Sequence, residues 1–440
     1  MNKEALKEQV LQAIEDARDE LIQAGEMLYA MPETGFKEVK TSAFLKERLE
    51  SCGLPVRNGI ALTGVKAKAV GRQSLANVAL MGEMDALLMP SHPKCDPATG
   101  AFHGCGHHAQ LTTLLGVAIG LVKTGLIREL DGDITFIGVP AEEIVEIEER
   151  RGMVREGKIR FTSGKQELIA LGEFDDVDMV LCSHIMDNSH TVNSWTGHSW
   201  NGLVNKSITF HGKSAHAGLA PEKGINALEA ALCAMNNINA MREGFLDSDH
   251  VRIHYIITHG GDSSNIVPDC VTLEMGIRAA RVETLLAVND RVNAALQAGA
   301  AVIGASAEIH DAGMYLPCHQ NRTLGELYMA NAAQILGEAQ ANNAFGEHRG
   351  SSTDCGDVAS LIPLLHPYFG GATGVPHARN FDVEDPYAAY VVPAKLAAAT
   401  VVDLLYDGAV EAKSIKNSFV PAFSSQEEYL QKCLKHVDFQ

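Results

Sequence analysis

The sequence predicts an α/β fold, a largely parallel sheet flanked by helices, into which a smaller α+β domain is inserted. Two observations carry this. Short apolar runs alternate with helix-periodic stretches up to about residue 195, the alternation that a parallel sheet and its crossover helices require. Beyond that point the order becomes strand, helix, strand, strand, helix, strand, the split βαβ signature.

The elements follow in order. Leu6, Val10, Ile14, Ala17 and Leu21 recur at helical spacing with acids between them, which predicts one amphipathic N-terminal helix. A second helix opens at Thr41 and closes at Gly53 in TSAFLKERLESCG. LANVALMGE (75–83) reads as a buried strand, residues 109–125 as a helix ending at glycine, and 133–140 and 177–184 as two further strands. In the second part, residues 206–212 alternate as a strand. A helix over 226–243 carries the stripe Leu228, Leu232, Met235 and Ile238. Residues 251–258 form a strand, and 270–278 set Val271, Leu273, Met275 and Ile277 against Thr272, Glu274, Gly276 and Arg278. A helix at 282–297 and a strand near 307–310 complete the pattern. The expectation is a ferredoxin-like α+β domain at 195–313 inserted into a domain made of 1–194 and 314–440.

Bulk properties narrow the function. The chain has 440 residues, 46% hydrophobic and 21% charged, enough for more than one domain. A formal net charge of -19 repels phosphate backbones and argues against nucleic-acid binding. An anionic small molecule would need local positive charge, of which metal ions are one source. The nine cysteines are odd in number and scattered, which suits reduced thiols and a cytoplasmic protein rather than a disulfide framework. The N-terminal stretch carries acids throughout, unlike a signal peptide. No charge-free apolar run is long enough to span a bilayer, so no membrane partner is expected.

Several motifs carry chemistry. HGCGHH (103–108) places Cys105 and His107 two apart between glycines, so that a thiolate and an imidazole can face one point; the plainer alternative is a histidine-rich loop beside a buried thiol. Glu142 and Glu143 follow an apolar strand. One can bind a metal while the other handles a proton, or both can open a solvated acidic helix. His184 closes an apolar run, a position more often held by a core histidine. His377 lies in the Gly-Pro loop GATGVPHARNF, His216 in HGKSAHAG, and Asn265 in GGDSSNIVPD. Taken together, Cys105, His107, Glu143, His184 and His377 make five candidate ligands near strand ends, where open α/β sheets place their sites. Five exceed one tetrahedral ion and suit two ions sharing a bridge.

The order of these motifs resembles metallopeptidase family M-20, in the branch of hippurate hydrolase, the plant auxin-conjugate amidohydrolases and aminobenzoyl-glutamate hydrolase. The resemblance runs from LYAMPETGFKEVKTS (28–42) through MGEMDALL, HGCGHH, PAEE, GKSAHAG, the NALEA helix and GGDSSNIVPD to STDCGDV (352–358). It departs at Ala30, Met31, Leu88, His108 and the PHARNF context of His377, for which His366 is the substitute candidate. The Cys-Gly-His-His form and STDCGDV lean towards the aminobenzoyl-glutamate type. The resemblance implies that Cys105 bridges two metals, with His107, Glu143, His184 and His377 as further ligands. It implies Glu142 as general base, Asp85 as an acid supporting the site, and His216 as a lid histidine reaching a partner subunit's substrate. Asn265 and Arg278 would hold the substrate carboxylate.

The activity implied is hydrolysis of an amide bond in N-acyl or N-aroyl amino acids or small dipeptides by a homodimer joined through 195–313. The implied cofactors are two divalent ions, zinc by preference for thiolate and imidazole, with manganese admitted by the carboxylates. The competing readings are a non-catalytic binding protein on the same fold and a lone structural zinc at Cys105 and His107.

Overall fold

A computed structural model of the protein describes residues 1–187 and 194–434. The chain divides into two compact units. The first comprises Met1–His198, His319–Glu347 and Asp357–Gln426, and the second comprises Ser199–Cys318, His348–Gly356 and the stretch from Glu427.

A six-stranded sheet organises the first unit, in the order Val56–Ile60, Gly64–Ala69, Asp133–Val139, Asn77–Glu83, Met179–Leu181, Leu364–Leu365. The last four strands run parallel, and the first two form an antiparallel margin. Every residue of Asn77–Glu83 and Asp133–Val139 is buried. Helices cover both faces of such a sheet, which is why these strands read as continuous apolar runs rather than as alternation.

The N-terminal stripe, expected as one helix, forms two, Lys3–Asp16 and Arg18–Tyr29. They break at Ala17, whose ψ of 7° leaves the helical region. The apolar spacing survives the break because Leu6, Val10, Ile14 and Leu21 all remain in the core. The helix expected at 109–125 starts earlier, at His107, and passes into a π-helical turn at Ala118–Lys123. The strand expected at 177–184 is also corrected. It ends at Leu181, and His184 instead opens a new strand, His184–Asp187, which pairs in parallel with Tyr368–Thr373 in a second, five-stranded sheet. His184 therefore sits where the chain leaves one sheet for another.

The helical stretch Pro386–Leu405 is long and apolar enough by composition to cross a membrane, but 89% of that window is buried inside the unit. Its Asp403 accepts from Lys7 Nζ at 2.7 Å, the arrangement of a core helix.

The second unit holds a four-stranded antiparallel sheet in the order Arg252–His259, Cys270–Ala279, Gly202–His211, Ser306–Tyr315. Val271, Leu273, Met275 and Ile277 are buried, beneath the helices Ala227–Ala240 and Val282–Ile303. These helices cross so closely that a Cβ on Gly299 would meet the Ala234 backbone nitrogen at 2.5 Å. Lys206 lies fully buried in this unit and ion-pairs with Asp311, which also accepts from Asn289 Nδ2 at 3.1 Å. The fold is thus mixed α/β with a mostly parallel sheet, accompanied by a smaller α+β unit.

Candidate metal centre

The centre forms in the first unit, where loops leave the C-terminal ends of its parallel strands. HGCGHH turns directly into the helix His107–Val117, and Gly106 caps that helix at φ 82°. Glycine is required here twice over: the φ is left-handed, and a Cβ would lie 2.2 Å from Ile185 Cγ2. The turn leaves the Cys105 thiol 3.4 Å from His184 Nε2. His184 Nδ1 bonds the Ile185 carbonyl at 2.8 Å, so Nε2 is the nitrogen aimed at the thiol.

Asp85 follows the strand Asn77–Glu83 and holds two parts together. Its Oδ1 lies 3.0 Å from His107 Nδ1, and its Oδ2 accepts from the Glu143 backbone N–H at 2.9 Å. Such an outer carboxylate fixes the tautomer and orientation of a ligating histidine. The opposite nitrogen, His107 Nε2, faces Glu83 at 3.1 Å, Glu142 at 3.9 Å and Glu143 at 4.0 Å.

The PAEE turn is presented by an unusual backbone. Ala141 sits at φ 51°, a left-handed conformation uncommon for a residue with a Cβ. It is retained by Glu38, whose Oε1 accepts from the Ala141 N–H at 2.8 Å and whose Oε2 accepts from Thr63 Oγ1 at 2.6 Å. Burial, reinforced by the nearby Asp85 charge, pushes the Glu38 carboxyl up to about 8. His377 is likewise left-handed, at φ 66°. Its backbone N–H donates to the Gly104 carbonyl at 2.9 Å, docking the loop onto HGCGHH, and its Nε2 reaches Glu143 Oε1 at 3.2 Å. That contact raises the His377 imidazole above its ordinary value.

The sequence-predicted residues therefore meet. Ligand atoms of Cys105, His107 and His184 lie within 4.8 Å of one another, as do those of Cys105, Glu143 and His377, so Cys105 is common to both sets. Glu142 joins His107 and Glu83 in a third grouping of the same kind. Burial pushes His184 down to about 3, keeping its imidazole neutral. His107 Nε2 and Glu143 Oε1 are buried close to Glu83 and His377 respectively, but neither makes a well-aligned hydrogen bond. Leaving such atoms unpaired is costly, and a divalent cation would satisfy both. The soft thiolate, the imidazoles and the carboxylate together are a donor set suited to a transition-metal pair.

His366 is not part of either set containing Cys105; its Nδ1 lies 2.6 Å from the Cys182 carbonyl. His108 turns away from the centre, with Nε2 3.1 Å from the Tyr390 hydroxyl. Besides Glu38, two supports escaped sequence reading. Glu83 accepts from Gln110 Nε2 at 2.6 Å and ion-pairs with fully buried Lys165. Glu83 at least lies in the GEMDAL segment, whereas nothing around Lys165 signals its role.

The remaining predicted residues belong to the second unit. His216 pairs through its backbone with Ile266, and Ala217 N donates to the Asn265 carbonyl at 2.9 Å, so His216 and Asn265 are neighbours. His216 Nδ1 accepts from the N–H groups of Gly218 and Leu219 at 3.2 and 3.1 Å. In the neutral ring the proton is then on the exposed Nε2, ready to be donated. Arg278 lies apart from them on Cys270–Ala279 and donates to Ser352 Oγ at 2.7 Å.

Residues 200–302 match the M20 peptidase dimerisation domain. The mouse Xaa-Arg dipeptidase is 26% identical over 429 residues, which is 92% of this chain and 90% of that protein. An Escherichia coli protein, one of the subunits of p-aminobenzoyl-glutamate hydrolase, is 28% identical over 75% of this chain and 65% of its own length. A dinuclear metal binding peptidase of the M20 family from Bacillus subtilis shares the fold, with a TM-score of 0.68 at 22% identity over 89% of this chain and 99% of that one.

Proposed function

From a chain homologous to the M20 peptidases and amidohydrolases, we propose a metal-dependent hydrolase that cleaves the amide bond of N-acyl or N-aroyl amino acids or small dipeptides. The observation that carries this is the pair of ligand sets sharing Cys105, with Glu142 beside them. Cys105, His107, Glu143, His184 and His377 would hold the divalent cations, which would supply Lewis acidity towards the scissile carbonyl and the attacking water. Glu142 takes the proton from that water and returns it to the departing amine. The Nε2–H of His216 donates to the oxyanion that develops on the carbonyl oxygen. Arg278 holds the carboxylate of the amine-side amino acid, and Asn265, carried beside His216, reaches the same carboxylate in the partner's site. Zinc is the proposed metal, given the thiolate and imidazole ligands. Nine free cysteines support a reducing, cytoplasmic setting.

Metal analysis of the purified protein, alongside a panel of N-acyl and N-aroyl amino acids, tests the reading. About two ions per chain with hydrolysis is the expected result. One ion per chain without hydrolysis would favour a structural zinc, and two ions without turnover a binding protein.

The match to a dimerisation domain supports a homodimer, in which His216 serves the partner's site. Inactive His216→Ala and Glu142→Ala homodimers, once mixed and exchanged, are then expected to recover up to about half of wild-type activity per hybrid, because one site in each is intact. No recovery after demonstrated exchange would confine His216 to its own chain.

A further inference from the structure

Glu83 ends the buried strand Asn77–Glu83 in the first unit. Its Oε1 pairs with the fully buried Lys165 Nζ, and its Oε2 accepts from Gln110 Nε2 at 2.6 Å. Gln110 Oε1 in turn accepts from the Glu83 backbone N–H at 3.1 Å, so the residue is held at both ends. Replacing a buried ion pair by apolar side chains is often neutral or stabilising. Stability alone therefore does not account for a lysine and a glutamate in this place.

The second oxygen points to another reason. Glu83 Oε2 lies 3.1 Å from His107 Nε2 without a well-aligned hydrogen bond. Asp85 Oδ1 stands 3.0 Å from His107 Nδ1, which sets the proton of the neutral ring on Nδ1 and leaves a lone pair on Nε2. A lone pair and a carboxylate oxygen then face each other, and a cation between them turns that repulsion into attraction. Two donors bound to one ion at about 2.0–2.2 Å are about 2.8–3.6 Å apart across octahedral to tetrahedral angles. The Glu83–His107 separation falls in this range, whereas Glu142 and Glu143, at 3.9 and 4.0 Å from the same nitrogen, lie beyond it. Cys105 Sγ and His184 Nε2, 3.4 Å apart, also fit a shared ion.

We propose that Glu83 is a sixth protein ligand, which joins Cys105, His107 and His184 to give one ion four protein donors. The proposal rests on the two-metal reading of this centre. The other position, built from Cys105, Glu143 and His377, keeps three donors and with them the open place that a catalytic ion needs. The two positions should therefore differ in affinity, the four-donor one being the tighter. Lys165 offsets the charge of the added carboxylate.

The test challenges full-length, metal-loaded protein with increasing chelator and measures the metal retained. Cobalt(II) in place of zinc adds a visible spectrum that responds to the number of donors. The unaltered protein should release its ions in two steps. Glu83→Gln should weaken the tighter position by at least about 10–100-fold, the loss that follows removal of a mere outer partner of a ligand. Its cobalt d–d bands should change while the thiolate-to-cobalt band of Cys105 persists. Because Glu83→Gln leaves Lys165 as an uncompensated buried charge, the double variant Glu83→Gln/Lys165→Met, which removes both charges, is measured beside it. Loss of the tighter step in the double variant, with a melting temperature after chelation close to that of the unaltered protein, supports the proposal. An unchanged tighter step and cobalt spectrum in either variant would overturn it. One ion per chain in the unaltered protein would sink the two-metal reading, and weaker retention of that ion in both variants would still identify Glu83 as a ligand.

Discussion

Glu142→Gln lowers turnover by about 10²–10⁴, the usual contribution of a positioned general base. The substitution keeps the volume of the side chain and removes its capacity to accept a proton. Glu142 Oε2 stands 3.9 Å from His107 Nε2, and neither ligand set sharing Cys105 includes it, although it groups with Glu83 and His107. Two ions per chain and an unchanged melting temperature should therefore accompany the loss of activity. Steady-state kinetics with metal analysis on the same preparation decides the matter. A fully active variant with full metal content would remove Glu142 from the role of base.

Cys105→Ala carries the second large effect. One atom, the Cys105 sulfur, is common to both ligand sets, so its removal weakens both positions at once. Loss of an outer-shell partner alone typically costs about 10–100-fold in metal affinity, and loss of a shared ligand should exceed that. The expected outcome is metal content well below two per chain and activity at background. Cys95→Ala, which alters a half-buried thiol outside these sets, should behave as the unaltered protein. Thiol labelling gives an independent view. In the absence of metal, burial holds the Cys105 thiol well above its ordinary pKa, and ligation would replace its proton and block the sulfur. Cys105 should label more slowly in metal-loaded protein than after chelation. Equal rates in the two states would mean that the sulfur is not a ligand.

The candidate ligands that the structure brings together were legible where they occupy a marked place in the chain. Glycines flank Cys105, an apolar strand leads into Glu142 and Glu143, and a Gly-Pro loop surrounds His377. Such marks arise where the backbone must turn sharply at a sheet edge, so they survive in a single sequence. The strand patterns were legible for a similar reason. Burial on both faces makes Asn77–Glu83 uniformly apolar, and burial on one face makes Cys270–Ala279 alternate. What periodicity does not encode was missed. The break at Ala17 leaves the apolar stripe in phase, and the end of a strand at Leu181 interrupts no apolar run. Glu38, Glu83 and Lys165 act through contacts with residues far along the chain, as in the buried Lys165–Glu83 pair. A lysine within SGKQEL looks like any solvated helix residue until the sheet it packs beneath is known. The grouping of His348–Gly356 with the second unit is equally silent in the sequence.

Ala141 and His377 both hold left-handed backbone conformations that their side chains disfavour, at a cost of order 1–3 kcal/mol each. Each is clamped by a protein hydrogen bond, from Ala141 to Glu38 and from His377 to Gly104. A free loop would drift out of such a geometry, so folding of the scaffold sets the ligand spacing before any ion arrives. An incoming cation then meets a preformed cage and has little chain to reorganise. Donors held in this way would penalise an ion of the wrong radius, so metal uptake is expected to be selective by size.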